Sequence, residues 1–558
     1  MTEAKRQRVV VVGLDGATLD VIRPLVEAGR MPTLARLMND GAHGKLTTTI
    51  PPVTAPAWTS FMTGKNPGKH GLFDFMRRRT GTYFLTPVNS QSRAGKTVWG
   101  LAGDAGKRVV VMNVPVTYPP DKVNGDLVTG MLTPPSQEEY TYPPELKEEI
   151  EREIGPFVVY PREVYAKGRA DHFLDHLRFT MEQRLKVVLH LMRTRDWDFF
   201  MVVFPETDTV QHGMTVTTDP QHPAYDADEA AQYSDAINQI HVRADEALAD
   251  ILAELREDDT LIVMSDHGFG SLYRFMYVNN FLADIGALRF KRNPVSLAKR
   301  IVFKLGLTVK TAYSIALAVG LGKLRRSMDK RRGGYKMLRR FFLSFADVDW
   351  KRSQAYAVGY IGQIFVNTLG REPQGLVAPG EEYRRVRASI VEKLRALRDP
   401  ADGAPLVDEI YLKEDIYSGP YLEDAPDIVF FPRNLETIAF GDFEFPSNKL
   451  VEPAYAISGH HRMNGILFMR GPGVKPGVEL GGASIIDMAP TILYNLGLPV
   501  PDDMDGQVLQ AAYAPEVFER RPVTFSQGEG GEKPGEPDYS EEDQAEIEER
   551  LRSLGYLS

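Results

Sequence analysis

The stretch VVVVGLDG, residues 9–16, runs four valines, a glycine and a leucine directly into Asp15. A short run that is apolar almost throughout is typical of a strand buried on both faces, as in a parallel sheet. Three further runs share this character: RVVVM at 108–112, FFMVVF at 199–204 and TLIVM at 260–264. Longer helical patterns alternate with these runs, as at 173–192 and 230–255. The alternation predicts an α/β sandwich with a mostly parallel central sheet and helices on both faces.

The regular alternation of predicted strands and helices ends after about residue 270. Between residues 289 and 340 there are 16 lysines and arginines against one acid, which gives a net charge of +15. The apolar run DIVFF at 427–431 predicts a return to the sheet. A start signal at Ser540, followed by Asp543, predicts a final helix that ends near Gly555. We therefore expect four regions: a core from 1–270, an inserted α+β cap at 271–426, a second core part at 427–515, and an acidic linker with a C-terminal helix at 516–558.

Composition excludes several classes of protein. The 558 residues include no cysteine, which rules out disulfides, thiolate nucleophiles, cysteine zinc sites and iron–sulfur ligation. Any metal must be held by His, Asp, Glu or a hydroxyl oxygen. The formal net charge of -9 argues against dedicated nucleic-acid binding. Neither a signal-like segment nor an uncharged apolar run of 18 residues is present, which predicts a cytoplasmic location.

Three carboxylates follow three of the predicted strands. Asp15 follows the first, Asp208 follows 199–204, and Asp266 follows 260–264. Open α/β sheets bind their ligands at the carboxyl ends of the strands. A single aspartate there is more often a turn or helix cap, but two of these three are joined by histidines, His212 and His267. Mixed Asp/His clusters suit Zn²⁺ or Mn²⁺, so the pattern favours a metal site.

Thr54 begins the motif TAPAWTSFMTG at residues 54–64. Pro56 marks a helix start, with Thr54 in the cap region. Helix N-termini attract phosphate, and a hydroxyl beside a metal can act as a nucleophile, although a plain threonine cap is the commoner use. A pair of histidines, His460 and His461, lies in the loop before a later apolar run and could supply one more ligand.

Five motifs together resemble a known superfamily. They are GLDGAT at 13–18, TAPAWTSFMTG at 54–64, PETDTVQH at 205–212, SDHGFG at 265–270 and GHHRMNGILF at 459–468. Their order is similar to that of the alkaline phosphatase superfamily, and within it to the type I phosphodiesterase/nucleotide pyrophosphatase family. The resemblance covers about 1–270 and 427–510 and implies an alkaline-phosphatase-like fold.

The resemblance also implies the site and its chemistry. It implies a metal-dependent phosphoryl hydrolase, in the first place a phosphodiesterase/nucleotide pyrophosphatase-like enzyme. It also implies two divalent ions, Zn²⁺ ahead of Mn²⁺, and a small-molecule phosphoester substrate. One ion would be held by Asp15, Thr54, Asp266 and His267. The other would be held by Asp208, His212 and His461, with His460 as the alternative. Thr54 would be the nucleophile and would form a phosphothreonine intermediate.

Two features leave alternatives open. Eukaryotic nucleotide pyrophosphatases have an asparagine three residues beyond the nucleophile, where this chain has Ala57, so nucleotide substrates are less strongly implied. A phosphomonoesterase, phosphotransferase or mutase on the same fold is the alternative enzyme. The basic segment 289–340 interleaves cationic and apolar residues, which is compatible either with a solvated cap or with contact to an anionic membrane surface. A non-catalytic protein bound to such a membrane is the alternative from another class.

Overall fold

The computed structural model of the protein describes residues 7–137, 139–308, 311, 341–441, 444–455, 457–528 and 535–557. In chain order the strands are β1 (Val9–Leu14), β2 (Ala42–Thr47), β3 (Met76–Arg78), β4 (Leu85–Pro87), β5 (Val109–Met112), β6 (Gly125–Val128), β7 (Thr141–Tyr142), β8 (Phe199–Phe204), β9 (Thr260–Met264), β10 (Gly268–Ser271), β11 (Arg274–Tyr277), β12 (Ala355–Ala357), β13 (Gln363–Val366), β14 (Val407–Leu412), β15 (Ile428–Pro432), β16 (Thr437–Phe440), β17 (Val451–Pro453), β18 (Gly459–Arg462), β19 (Asn464–Arg470), β20 (Val478–Ser484), β21 (Val500–Pro501) and β22 (Phe525–Ser526).

The α-helices of the described residues lie between these strands. They are α1 (Leu19–Glu27), α2 (Pro32–Asp40), α3 (Thr54–Thr63), α4 (Pro67–His70), α5 (Val98–Asp104), α6 (Glu145–Glu153), α7 (Ala170–Thr194), α8 (Glu206–Met214), α9 (Ala227–Tyr233), α10 (Ala236–Ala253), α11 (Val278–Asp284), α12 (Pro294–Lys304), α13 (Glu381–Ala396), α14 (Lys413–Ile416), α15 (Met488–Asn495), α16 (Pro515–Arg520) and α17 (Glu541–Ser553).

A nine-stranded sheet forms the centre of the molecule, in the order β20-β2-β19-β9-β1-β8-β5-β6-β7. Five of its eight neighbouring strand pairs are parallel, and β1 lies between β8 and β9 in parallel register with both. The four strands predicted from apolar runs are all present in this sheet. The mostly parallel α/β fold predicted from the sequence is confirmed.

Both faces of this sheet are covered by helices. The side chains of Val10 and Val12 pack into an apolar cluster that includes residues of α1, α2, α7 and α10. Val9 and Val11 point to the opposite face, where they join a cluster that includes Trp58 of α3 and residues of α5 and α15. Because alternate residues of β1 enter two cores, the strand is apolar at nearly every position.

One strand prediction needs correction. The stretch 427–431 does form a strand, β15, but β15 belongs to a separate four-stranded sheet in the order β12-β13-β15-β14. Its residues are buried throughout, as an apolar run predicts. An apolar run indicates burial on both faces but carries no information about which sheet supplies the neighbours.

The basic segment lies mainly outside the described residues. Of 289–340, the structure describes 289–308 and residue 311, so the predicted contact of this segment with a membrane surface stays a prediction. Across the described part of the chain, no helix combines the length and apolar character that crossing a bilayer requires.

Candidate metal centre

The parallel register of three strands brings three chain segments to one edge of the sheet. Gly13 pairs with Met264 and Leu14 pairs with Phe204, so β1, β8 and β9 end side by side. The backbone N–H of Asp15 donates to the carbonyl of Phe204 at 3.1 Å, which extends this alignment by one residue. The segments that carry Asp208 and Asp266 therefore begin next to Asp15.

Gly16 makes the close approach of these segments feasible. Its φ is +63°, and a Cβ on it would lie 2.7 Å from Oδ1 of Asp208. Its N–H points to Oδ1 of Asp266 at 3.3 Å. The glycine of the GLDG motif thus serves both the left-handed turn and the contact between the carboxylates.

Helix α8 presents Asp208 and His212 on one face, because residues four apart lie one turn apart. The two side chains are 3.4 Å apart between Oδ2 and Nε2. The first residue of the helix, Glu206, forms a fully buried ion pair with Arg184 of α7 at 3.0 Å. This ion pair fixes the start of α8 against the neighbouring helix.

A short antiparallel pair of strands supplies His461. Strand β18 pairs with β10 so that His461 lies opposite Phe269, two residues after His267. The imidazole rings of His461 and His267 stack with 3.5 Å between their centroids. The predicted histidine from the GHHR loop is thus held against the end of β9.

Thr54 is the first residue of α3, and Val53 is its N-cap. Its Oγ1 lies 3.1 Å from Nε2 of His267. In the same helix, the indole N–H of Trp58 donates to Oδ2 of Asp15 at 3.1 Å. Trp58 therefore orients Asp15, a role that the sequence pattern did not reveal.

The three histidines of the site share one hydrogen-bonding arrangement. Nδ1 of His212, His267 and His461 lies 2.9–3.1 Å from a backbone carbonyl, of Gly459, Gly268 and Pro52 respectively. A carbonyl accepts only, so the ring proton of each is on Nδ1 and the lone pair is on Nε2. This is the arrangement that orients histidine ligands in metal sites.

Several buried carboxylate oxygens at this edge have no hydrogen-bond partner. Among the described residues these are Oδ1 of Asp15, Oδ1 of Asp208 and Oδ2 of Asp266. Buried charged oxygens without a partner are costly, and a bound cation would satisfy them. In each of two groups of three residues, the ligand atoms all lie within 4.8 Å of one another. One group is Asp208, His212 and His461, and the other is Asp15, Asp208 and His267.

The electrostatics also favour cations at this edge. Burial, together with repulsion from Asp266 and Asp208, raises the pKa of Asp15 well above its usual value. Burial and Asp208 raise the pKa of Asp266 to about 8. Burial opposes the ionisation of Asp208 too, but attraction to His212 and His461 holds its pKa well below its usual value. Divalent ions would relieve the repulsion among the three carboxylates.

The seven predicted site residues all lie in this buried cluster. Each is no more than 3% exposed, and the set comprises Asp15, Thr54, Asp208, His212, Asp266, His267 and His461. Nε2 of His461 lies 3.6 Å from Oδ1 of Asp208. His460 is not in either group of ligand atoms, and both of its ring nitrogens lack a partner among the described residues. The geometry therefore favours His461 over His460.

Two tyrosines complete the surroundings of the site, and sequence reasoning did not identify either of them. The hydroxyl of Tyr360 lies 3.0 Å from Nδ1 of His461. The hydroxyl of Tyr556 lies 3.0 Å from Nε2 of His212. Burial raises the pKa of both hydroxyls well above the usual range. Tyr556 follows the C-terminal helix that the Ser540 signal predicts, but no sequence pattern indicates where that helix packs.

Residues 9–442 match the family model of the type I phosphodiesterase / nucleotide pyrophosphatase family. The chain belongs to this family. Members of the family hydrolyse phosphoric ester bonds, and the protein is a hydrolase of this class. The resemblance drawn from the five motifs is confirmed, and the alternative of a non-catalytic protein is set aside.

Comparison with solved structures gives distant likenesses. Phosphonoacetate hydrolase from Sinorhizobium meliloti 1021, in complex with phosphonoacetate, is 14% identical with a TM-score of 0.48, over 88% of this chain and 95% of that one. Human ectonucleotide pyrophosphatase / phosphodiesterase 5 is 11% identical with a TM-score of 0.48, over 91% of this chain and 98% of that one. A variant of the alkaline phosphatase PafA is 14% identical with a TM-score of 0.49, over 92% of this chain and 100% of that one. No curated protein sequence matches the chain.

Proposed function

We propose that the protein is a two-metal phosphodiesterase that works through a phosphothreonine on Thr54. The proposal rests on one observation above all: Oγ1 of Thr54 lies at the start of α3, 3.1 Å from Nε2 of His267, and that nitrogen lies 3.2 Å from Oδ2 of Asp266. A nucleophile next to a metal-ligand set is the arrangement that this chemistry requires.

The family resemblance implies which residues would hold each of the two ions. Asp15, Thr54, Asp266 and His267 would hold one, and Asp208, His212 and His461 the other. Asp208 belongs to both groups of ligand atoms, so its carboxylate lies close to both sets of donors. Bound there, divalent ions would neutralise phosphoryl oxygens and lower the pKa of a bound hydroxyl. The mixture of nitrogen and oxygen donors favours Zn²⁺, with Mn²⁺ as the alternative.

The reaction would proceed in two displacements at phosphorus. In the first, a bond forms between Oγ1 of Thr54 and phosphorus, the ester bond breaks, and the leaving alcohol departs with the threonine proton. In the second, water attacks phosphorus, the bond to Thr54 breaks, and the hydroxyl is restored. Helix α3 contributes the positive end of its dipole, and its first N–H groups belong to Thr54 and Ala55, since Pro56 has none.

The test is a substrate panel with added metal. We expect wild-type protein reloaded with Zn²⁺ or Mn²⁺ to hydrolyse a p-nitrophenyl phosphodiester faster than the monoester or the phosphonate. Thr54→Ala should lose this activity, whereas Thr59→Ala should keep most of it, because the Thr59 hydroxyl donates to the Ala55 carbonyl at 2.7 Å and faces no ligand. A preference for the monoester would indicate a phosphatase, and metal-dependent diester hydrolysis by Thr54→Ala would refute the nucleophile.

A further inference from the structure

The C-terminal segment reaches into the site, and its contact there has a specific geometry. The hydroxyl oxygen of Tyr556 lies 3.0 Å from Nε2 of His212, 3.3 Å from Oδ2 of Asp208 and 3.3 Å from Nε2 of His461. The protein atoms around this hydroxyl are spaced similarly: 3.2 Å between the two histidine nitrogens, 3.4 Å from Nε2 of His212 to Oδ2 of Asp208, and 3.6 Å from Nε2 of His461 to Oδ1 of the same carboxylate. The Tyr556 hydroxyl thus lies 3.0–3.3 Å from one atom of each of these three residues.

These spacings of 3.0–3.6 Å are close to the ligand spacings of a tetrahedral metal site. A tetrahedral zinc site with bonds of about 2.0–2.1 Å places its ligand atoms about 3.3–3.4 Å apart. Asp208, His212 and His461 would supply three corners of such a site, and the phenol oxygen of Tyr556 would supply the fourth. In catalytic zinc sites the fourth corner is the position taken by water or substrate.

The sequence places Tyr556 there through the end of helix α17. Gly555 has a φ of +84°, and the N–H groups of Gly555 and Tyr556 donate to the carbonyls of Arg552 at 3.1 Å and Leu551 at 2.8 Å. These two bonds form a Schellman motif, which reverses the chain after the last helical turn. The reversal directs the Tyr556 ring inward, where it packs on Phe75 with 4.5 Å between ring centroids.

The rest of the segment is docked against the catalytic core. Ile547, Leu551 and Leu554 are buried in the apolar cluster that also contains Val53. Nε2 of Gln137 donates to Asp543 at 2.9 Å, and the guanidinium of Arg550 donates to the Pro161 carbonyl and lies over the ring of Tyr160. The position of Tyr556 therefore depends on a packed helix and not on a loose end.

We propose that Tyr556 is a fourth ligand of the Asp208/His212/His461 metal site in a closed state, and that the phosphoryl group of the substrate displaces it. Binding in this way replaces the hydroxyl proton with the ion, and the proton passes to solvent. The proposal rests on the metal centre proposed above. It makes the C-terminal segment a lid whose Tyr556 side chain competes with substrate for one coordination position.

The decisive measurement is Zn²⁺ affinity of the full-length protein, by competition with a chromophoric chelator. Tyr556→Phe removes the hydroxyl but keeps the ring, and should raise the dissociation constant of one of the two ions about 10–100-fold. Tyr539→Phe is the matched control, because that hydroxyl of the same segment lies 3.0 Å from the Leu132 carbonyl, remote from the ligands. It should leave both dissociation constants unchanged.

Two further readouts separate the possible outcomes. Co²⁺ bound in place of Zn²⁺ should show a visible spectrum that differs between wild type and Tyr556→Phe, and orthophosphate should bind the metal-loaded variant more tightly than wild type. Affinities and spectra identical to wild type would overturn the role of Tyr556. The role of Tyr556 can fail while the proposed metal centre stands, provided that wild type binds two ions and His212→Ala loses one of them. If wild type binds no ion, the proposed function fails as well.

Discussion

The two ligand groups of the centre are built from different parts of the chain. The group around Asp15 and His267 comes from the carboxyl ends of adjacent parallel strands and the start of α3, all within the first 270 residues. The group around Asp208 needs helix α8, strand β18 from a distant part of the chain, and the C-terminal Tyr556. The first group is fixed by the central sheet, whereas the second depends on segments that pack onto it. We therefore expect the second group to be the adjustable one.

The largest expected effect falls on the fixed group. Thr54→Ala should reduce turnover by roughly 10³–10⁶-fold, because no other hydroxyl of α3 faces the ligands among the described residues. Bound metal per chain, measured by elemental analysis, should stay near the wild-type value if His267 and the carboxylates suffice for binding. A variant that lost all of its metal along with its activity would show Thr54 to be essential for assembly, and the first group would no longer count as fixed.

Removal of one ligand from each group compares the groups directly. We expect Asp266→Asn and His212→Ala each to lose about one ion per chain and to lower activity by at least about 10²-fold. Restoration by excess metal should differ: His212→Ala keeps three of four corners through Tyr556 and should recover more activity at high Zn²⁺. Equal recovery of both variants would remove the distinction between a fixed and an adjustable group.

The sequence predicts the residues of the fixed group and, in the adjustable group, Asp208, His212 and His461, but it does not predict Tyr556. Apolar strands followed by Asp15 and Asp266 indicate a sheet edge with carboxylates, since parallel strands end together. The family motifs add Thr54 and His461. By contrast, no local pattern indicates that the C-terminal helix packs over the site or that β15 leaves the central sheet. Both depend on packing between segments far apart in the chain, which periodicity does not encode.

The anchor of α8 offers a test through stability. Arg184 and Glu206 are fully buried and paired at 3.0 Å, so Arg184→Met leaves a buried carboxylate unpaired and should lower the free energy of unfolding by about 3–5 kcal/mol. Chemical denaturation measures this change. Arg178 lies on the exposed side of α7, the helix that also carries Arg184. Arg178→Met should therefore lower the free energy of unfolding by less than about 1 kcal/mol. Zn²⁺ titration should show weaker binding at one site only, because the first residue of the helix that carries Asp208 and His212 has lost its partner.

The smallest expected effect concerns the turn that places Tyr556. Gly555→Ala puts a Cβ 2.2 Å from Cδ1 of Ile457 at a φ of +84°, so the Schellman turn cannot form without displacement. Strain of this kind costs about 1–3 kcal/mol and should fall on the C-terminal segment alone, because the central sheet makes no use of that turn. We expect faster proteolysis within 541–557 and a loss of Zn²⁺ affinity that matches Tyr556→Phe at one site. Gly535→Ala is the matched control, since its nearest neighbour would be 3.6 Å away. If Gly555→Ala kept wild-type affinity at both sites, the turn would not control the fourth ligand, and the second group would be as fixed as the first.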